Sequence, residues 1–395
     1  MKKKILVVSQ NYYPEQFRIN DITQELVKLG FDVTVLTGLP NYPGGEIYDG
    51  YKDKSKRHEV INGVKVIRCY ERERKSGGAL NLFLNYYSFV CSSKRMVNKL
   101  DKDFDCVIVN QTSPVMQAKA AIKYKKKYHC PLIIYCLDLW PASLVAGGVK
   151  SGNPIYKLYH KVSRNIYWKA DKILTTSKMF GDYLTENFGI TKNMITYLPQ
   201  YSEDMFGNIQ PQKRKDKDIN LVFAGNVGKM QSVQTIIKAA KLVTNPKVKF
   251  HIVGGGSEYE NCVELAKDCK NVTFYGQRPL EEMPKFYAMA DAMLVTLKQD
   301  DLVSKTLPGK VQTYMSAGKP IIAAGENELK NTIEKAKCGF VAKPDDEQDL
   351  AKVINKFVAS KDKQKMATNS KNYYLKNFTK EKFFKTLLKE IQEIK

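Results

Sequence analysis

The chain has 395 residues and carries 64 Lys+Arg against 41 Asp+Glu, a formal net charge of +23. Its length suits two or three domains, and its 43% apolar content, with no run of about 18 apolar residues, argues against both a disordered chain and one that spans a bilayer. The positive excess is spread, 31 against 19 in residues 1–210 and 33 against 22 beyond, so it favours anionic partners without resting on one basic tail.

Lys2-Lys3-Lys4 leads into Ile5-Leu6-Val7-Val8, too short an apolar run for a signal peptide, so a first strand is expected there. Further strands are expected near 32–36, 64–69, 105–110, 131–137, 172–175 and 194–198. Amphipathic stretches of helical length lie between them, such as Asn20 to Leu29 and Ser113 to Lys127. Alternation of this kind builds a parallel sheet covered on both faces.

One stretch departs from that rhythm. Ala79 to Cys91 is apolar and aromatic and is followed by Lys94 and Arg95; it suits either a core helix or a face resting on an anionic membrane, and Lys123 to Lys127 could join the same basic surface. Asp101-Lys102-Asp103 spells a triplet that binds metal elsewhere, but before a strand it reads as a polar turn. The eight cysteines form no C-x-x-C pair, so reduced thiols are expected and no metal site.

From Pro199 to Asp218 the pattern lapses into polar sequence suited to an interdomain linker. A second series follows, with strands near 219–224, 248–253, 271–275, 291–296, 320–324 and 339–342. This divides the chain into a first Rossmann-like domain at 1–200, a second at 201–377, and a helix at 378–395 that either finishes the second domain or crosses back to the first. The fold class is α/β, two Rossmann-like domains facing a cleft.

Ligands of open α/β sheets gather outside the carboxyl ends of the strands. In the second half, the stretch Ser304 to Gly325 carries a helix from Pro308, suited to the first helical position, to about Ala317. Its N-terminus lies beside Lys305, Gly309 and Lys310, where free N–H groups, the helix dipole and two ammonium groups suit a diphosphate. Gly225-Asn226-Val227-Gly228-Lys229 offers close backbone approach and charge, and Gly254-Gly255-Gly256 opens another helix. In the first half, Asp138 follows a strongly apolar strand beside Trp140, and Gln10 to Arg18 forms a polar and aromatic loop.

Together, GN-x-GK, GGGSE, VTFYGQ, ADA-x-LVTL and SKTLPGK-x-QTYMSAGKPI resemble the donor domain of family 4 retaining glycosyltransferases of the GT-B fold. SQNYYPE and DLWP-x-SL resemble a subgroup of bacterial capsule and O-antigen assembly. The resemblance implies a UDP-sugar substrate with no cofactor or metal. It implies a polyprenyl-diphosphate-linked acceptor and a cytoplasmic place at the inner face of the plasma membrane. Gly225, Asn226, Gly228 and Lys229 match a phosphate loop, Gly255 and Gly256 the nucleoside loop, Gln277 and Arg278 the base contact, and Lys305, Pro308, Gly309 and Lys310 a phosphate and sugar clamp. Asp138 matches an acceptor-side polar residue, and Tyr13, Glu15, Arg18 and Trp140 lie on the acceptor side; Asp138, Lys229, Lys305 and Lys310 are the residues expected to carry catalysis.

Three positions depart from the family pattern. Lys305 and Thr313 stand where two glutamates eight apart are usual, Asn226 replaces a basic residue, and Ala142 replaces a glutamate. The donor expected is an amino-sugar or deoxy-amino-sugar, UDP-N-acetyl-fucosamine among them. A UDP-amino-sugar epimerase of the same fold and a basic nucleic-acid binder are the other readings, the latter without any recognised nucleic-acid motif.

Overall fold

The computed structural model describes residues 2–53, 55–75, 78–146, 149–150, 152–212 and 217–394. The chain divides into two compact units, the first made of residues 1–176, 181–197 and 388–395, the second of 177–180 and 198–387.

In the first unit the elements are β1 Lys4–Val8, α1 Arg18–Lys28, β2 Asp32–Thr37, β3 His58–Ile61, β4 Val64–Arg68, α2 Ala79–Met96, β5 Cys106–Gln111, α3 Lys119–Tyr128, β6 Leu132–Cys136, α4 Ala142–Ala146, α5 Pro154–Tyr167, β7 Lys172–Thr175 and β8 Ile195–Tyr197. The strands order as β3-β4-β2-β1-β5-β6-β7-β8, parallel except for β3 against β4. The central strands are buried along nearly their whole length, as a sheet covered on both faces requires. The α6 helix, Lys178–Phe188, begins among the residues of the second unit and continues in the first.

Strand β3 was not expected. It is a hairpin partner of β4, joined through Asn62 and Gly63, both with positive φ, the Asn-Gly pair that favours a tight turn. The segment expected as one helix from Ser113 starts as a 3-10 turn at Val115–Ala118. It becomes α-helical only at Lys119 and stops at His129, in the left-handed region.

The second unit holds β9 Ile219–Ala224, α7 Val233–Leu242, β10 Val248–Val253, α8 Tyr259–Leu265, β11 Val272–Gly276, α9 Met283–Met289, β12 Ala292–Thr296, α10 Gly309–Ser316, β13 Ile321–Ala324, α11 Asn327–Ala336, β14 Gly339–Ala342, α12 Glu347–Ala359 and α13 Lys363–Asn377. Its six strands are all parallel, in the order β11-β10-β9-β12-β13-β14. The last helix, α14 Lys380–Glu393, is shared between the units as divided; at its far end Glu390 accepts from Thr196 at 2.8 Å and pairs with Lys172 at 3.1 Å, all within the first unit.

The first part of the stretch expected as a linker is packed, because its aromatics find partners, while residues 208 and 210–212 are exposed. Tyr201 lies against Phe383 at 4.8 Å and Phe206 against Tyr287 at 4.6 Å, both buried. Residues 213–216 of that stretch lie outside the described residues.

One contact fixes α10 to the sheet. The Ala224 N–H donates to the Tyr314 hydroxyl at 3.0 Å, and that hydroxyl donates to the Ala224 carbonyl at 2.9 Å. Tyr314 is wholly buried and thereby completes the pairing of the last β9 residue. Tyr314→Phe would leave a buried N–H and C=O without a partner, so it is expected to destabilise the second unit by about 1–3 kcal/mol, read from the midpoint of urea unfolding.

Candidate functional site

In the second unit the carboxyl end of β9 and the start of α10 meet. Pro308 is the residue before the helix, with φ −61° and ψ 135°, and Gly309 is the first helical residue. This corrects the expectation that proline would be the first helical residue: its extended ψ keeps it outside the helix. Gly309 and Lys310 then open the helix, at positions whose N–H groups have no acceptor within it.

Lys310 is the residue that this geometry singles out. Its ammonium is buried, has no hydrogen-bond partner, and lies 3.9 Å from the centroid of the Phe223 ring. Burial alone pulls its pKa down from 10.5 to about 7. Gly225, with φ 139°, lies directly against it, since a Cβ there would come 2.8 Å from the Lys310 Nζ. An unpaired buried cation at a helix N-terminus is costly unless an anion arrives.

The other expected lysines behave differently. The Lys305 ammonium donates to the Asp301 carbonyl at 3.0 Å, within its own loop, and its backbone carbonyl accepts from the Ser177 hydroxyl at 2.5 Å. Lys229 is exposed at the start of a 3-10 turn. Thr313 is buried and its hydroxyl faces the Gly309 carbonyl of its own helix at 3.4 Å.

The glycine loops are bound to one another. Val227 N–H donates to Gly255 at 2.8 Å, Glu258 N–H donates to Val227 at 2.9 Å, and a Cβ at Gly254 would fall 1.9 Å from the Gly225 carbonyl oxygen. Gly254 and Gly256 are thus demanded by loop packing, whereas Gly255 faces Gln277 with ordinary clearance, 3.7 Å from a Cβ to that side chain. Gln277 and Arg278 are exposed, with the Arg278 Nε donating to the Tyr275 carbonyl at 2.9 Å. Asn226 and Gly228 sit together beside Gln231, and Gln200, which sequence reasoning passed over, lies against Gly309.

The first unit gathers a buried polar network at the carboxyl ends of β1, β2 and β4. Glu15 is buried with both oxygens engaged: one accepts from the N–H groups of Asn41 and Tyr42 at 2.8 and 2.7 Å, the other from Asn11 and Tyr12 at 3.0 and 3.2 Å. Its place is therefore a brace between two loops. Glu71 is wholly buried; its Oε1 accepts from the Gln10 and Asn41 amides at 2.8 and 3.2 Å, its Oε2 has no partner, and burial raises its pKa to about 7.

Asp138 is half-buried, accepts from Ser113, and is pushed above its usual carboxylate range by desolvation. Trp140 donates from its indole N–H to the same Ser113 hydroxyl at 2.8 Å. Tyr13 is exposed, with its carbonyl accepting from Arg68 at 2.7 Å, and Arg18 faces Tyr135 of β6. Asn85 of α2 is buried and its amide oxygen accepts from Gln10 at 3.0 Å; it was missed together with Glu71 and Ser113 because nothing in their sequence surroundings marks them as part of a polar network. Among the described residues no group of three or more His, Cys, Asp and Glu could hold a metal, and Asp103 of the suspected triplet pairs with Lys4 at 2.7 Å.

Two family models match this chain in succession: a glycosyl transferase 4-like domain over residues 16–200 and the glycosyl transferases group 1 over residues 205–394. The chain belongs to the family 4-like, group 1 glycosyltransferases. These are enzymes, and the two parallel-sheet units of this chain match solved GT-B structures.

The chain is similar to the probable glycosyltransferase WbjE of Pseudomonas aeruginosa, 27% identical over 63% of this chain and 65% of that protein, so it spans just under two thirds of that relative. It is also similar to the putative colanic acid biosynthesis glycosyl transferase WcaI of Escherichia coli K12, 24% identical over 82% of this chain and 83% of the relative. The crystal structure of Anabaena HepE in complex with UDP-glucose overlays with a TM-score of 0.71, at 15% identity, over 99% of this chain and 100% of that one.

Glu71 gives this glycosyltransferase a pH signature. Its carboxyl holds its proton to about 7 when folded and to about 4.5 when unfolded, so the folded state binds more protons between those values. Stability contributed by the neutral carboxyl is therefore full below about pH 4.5 and declines as pH rises toward 7, with a slope approaching about 1.4 kcal/mol per unit. Urea unfolding across that window should show the decline in the wild type and a flatter profile in Glu71→Gln.

Proposed function

We propose that this glycosyltransferase moves a sugar from a UDP donor held by the second unit to a polyprenyl-diphosphate-linked acceptor met by the first, with retention, in the assembly of a surface polysaccharide such as a capsule or O-antigen. The donor sugar is an amino- or deoxy-amino-sugar, N-acetyl-fucosamine among the candidates. The observation that carries the reading is the unpartnered Lys310 ammonium at the first turn of α10, packed against Gly225 and the Phe223 ring.

Departure of UDP from the sugar places negative charge on the β-phosphate as the ring becomes oxocarbenium-like. A cation held in a site of low polarity, together with the free N–H groups of Gly309 and Lys310, stabilises that charge far more than the same groups in water. The diphosphate in turn supplies the counter-charge that returns Lys310 to its protonated form. Gly255 with Gln277 suits the nucleoside, since Gln277 is exposed and packs beside Gly255 at ordinary contact distance. The capture of UDP-glucose by HepE and the naming of WcaI for colanic acid biosynthesis support the donor and the polysaccharide class respectively.

A place at the membrane surface draws support from α2 and α5. Among the described residues no helix is long and apolar enough to cross a membrane. On α2 the core side is formed by Asn85, Phe89 and Val90, while Leu80, Phe83 and Tyr87 are exposed. Tyr87 lies near Tyr159 of α5, where Ile155 and Leu158 are exposed alongside Lys157, Lys161 and Arg164. Neither helix contains a carboxylate. Apolar side chains rimmed by cations suit an interface with anionic lipid.

Lys310→Met is expected to lower turnover by roughly 100- to 1000-fold and to weaken UDP binding, with the melting profile retained. In the wild type, UDP affinity should fall as pH rises through about 7, where the free amine loses its proton, and calorimetry on the variant should lose that dependence. Equal turnover in variant and wild type would remove the phosphate reading. The full chain should float with anionic vesicles at low salt, and Phe83→Ser with Tyr87→Ser should reduce the floated fraction; an unaltered fraction counts against the surface.

A further inference from the structure

A second orphaned cation lies in the first unit, outside every residue discussed so far as a site. Arg74 stands with its guanidinium 5.4 Å from the Tyr42 ring centroid and 5.8 Å from that of Tyr86 on α2. Its Nε is buried and has no hydrogen-bond partner. The guanidinium of an arginine carries five N–H donors in a planar fork, and leaving one buried without an acceptor is unfavourable.

The two carboxylates near enough to influence Arg74 do not take it as a partner. Glu15 spends both oxygens on four donors from its own loops, and Glu71 directs Oε1 to two amides and titrates at about 7, so much of its charge is absent near neutrality. Aromatic faces rather than an ion pair hold the guanidinium in place.

Arg74 is also fixed from both sides along the chain. The Lys75 N–H donates to the Gly45 carbonyl at 3.0 Å, and the Ile47 N–H donates to the Glu73 carboxylate at 3.1 Å. These bonds tie the segment after β4 to the loop after β2, so the guanidinium is presented without an ordering cost when a ligand binds. Tyr42 is 44% exposed, which leaves the stack open to solvent.

We infer that Arg74, stacked between Tyr42 and Tyr86, takes a phosphoryl group of the lipid-linked acceptor. The inference rests on the acceptor class proposed above. A planar fork suits two oxygens of one phosphate. Two cations, one per unit, each held by an aromatic ring and without a protein acceptor, would thus receive the two diphosphates of the reaction.

Calorimetric titration of the full chain saturated with UDP, using farnesyl diphosphate and inorganic pyrophosphate as probes, tests this. The wild type should bind farnesyl diphosphate more tightly than pyrophosphate. Arg74→Gln should weaken farnesyl diphosphate by at least about tenfold and Arg74→Lys by less, with UDP affinity unchanged in both. Absence of binding to the wild type, or undiminished binding in both variants, overturns the assignment. Equal affinity for the two probes makes the site one for free diphosphate and overturns it as well. Should Arg74→Gln melt early, Arg74→Lys decides. If UDP itself fails to bind, the donor reading falls, and the same titration of the free chain still tests Arg74.

Discussion

The candidate donor site depends on one phenol. By exchanging two hydrogen bonds with the backbone of Ala224, Tyr314 locks α10 against the end of β9. A helix N-terminus can hold an anion only if it is aimed at the place where the anion will lie, and this contact sets that aim. On the same helix the Lys310 ammonium lies over the Phe223 ring, out of water and without an acceptor. Glycine at 225 follows from the same closeness, because any Cβ there would meet the ammonium.

The two units use a common physical device. A buried cation is unfavourable without a partner, and in each unit one is retained over an aromatic ring near the carboxyl ends of the strands. Around these cations several polar groups are held by the chain itself. Glu15 braces two loops, Asp138 and Trp140 share Ser113, and the Gly254 and Gly256 backbones lie against the first glycine loop. The Lys310 ammonium and the Arg74 Nε are unsatisfied donors that an anionic ligand would complete.

Family membership and membrane contact draw on different parts of the chain. The motif order that marks a glycosyltransferase comes from strand ends and loops, where chemistry is placed. The exposed stripe of α2 owes nothing to those motifs: its inner face, with Asn85 bonding Gln10 at 3.0 Å, belongs to the polar network, while its outer face is apolar. One helix therefore serves both the interior of the first unit and the surface proposed to meet lipid.

Sequence by itself determined the βα alternation, most strand positions and the glycosyltransferase family, because hydrophobic periodicity and strand-end motifs are local properties. It also pointed to Lys310, since a Pro-Gly-Lys run after a loop signals a helix start wherever it occurs. The Asn62-Gly63 hairpin was legible in principle, yet its short, alternating first strand resembled loop. Only the tertiary structure decided which charged residues lose water. Glu71 and Arg74 lie in the run Glu71 to Lys75, whose alternating charges read as a solvated surface, and the burial that sets the Lys310 ammonium apart from those of Lys229 and Lys305 is not displayed by the sequence. Burial arises from elements far apart in the chain closing over a side chain, and that closure, rather than residue type, determines whether a charge is idle at the surface or held ready for a ligand.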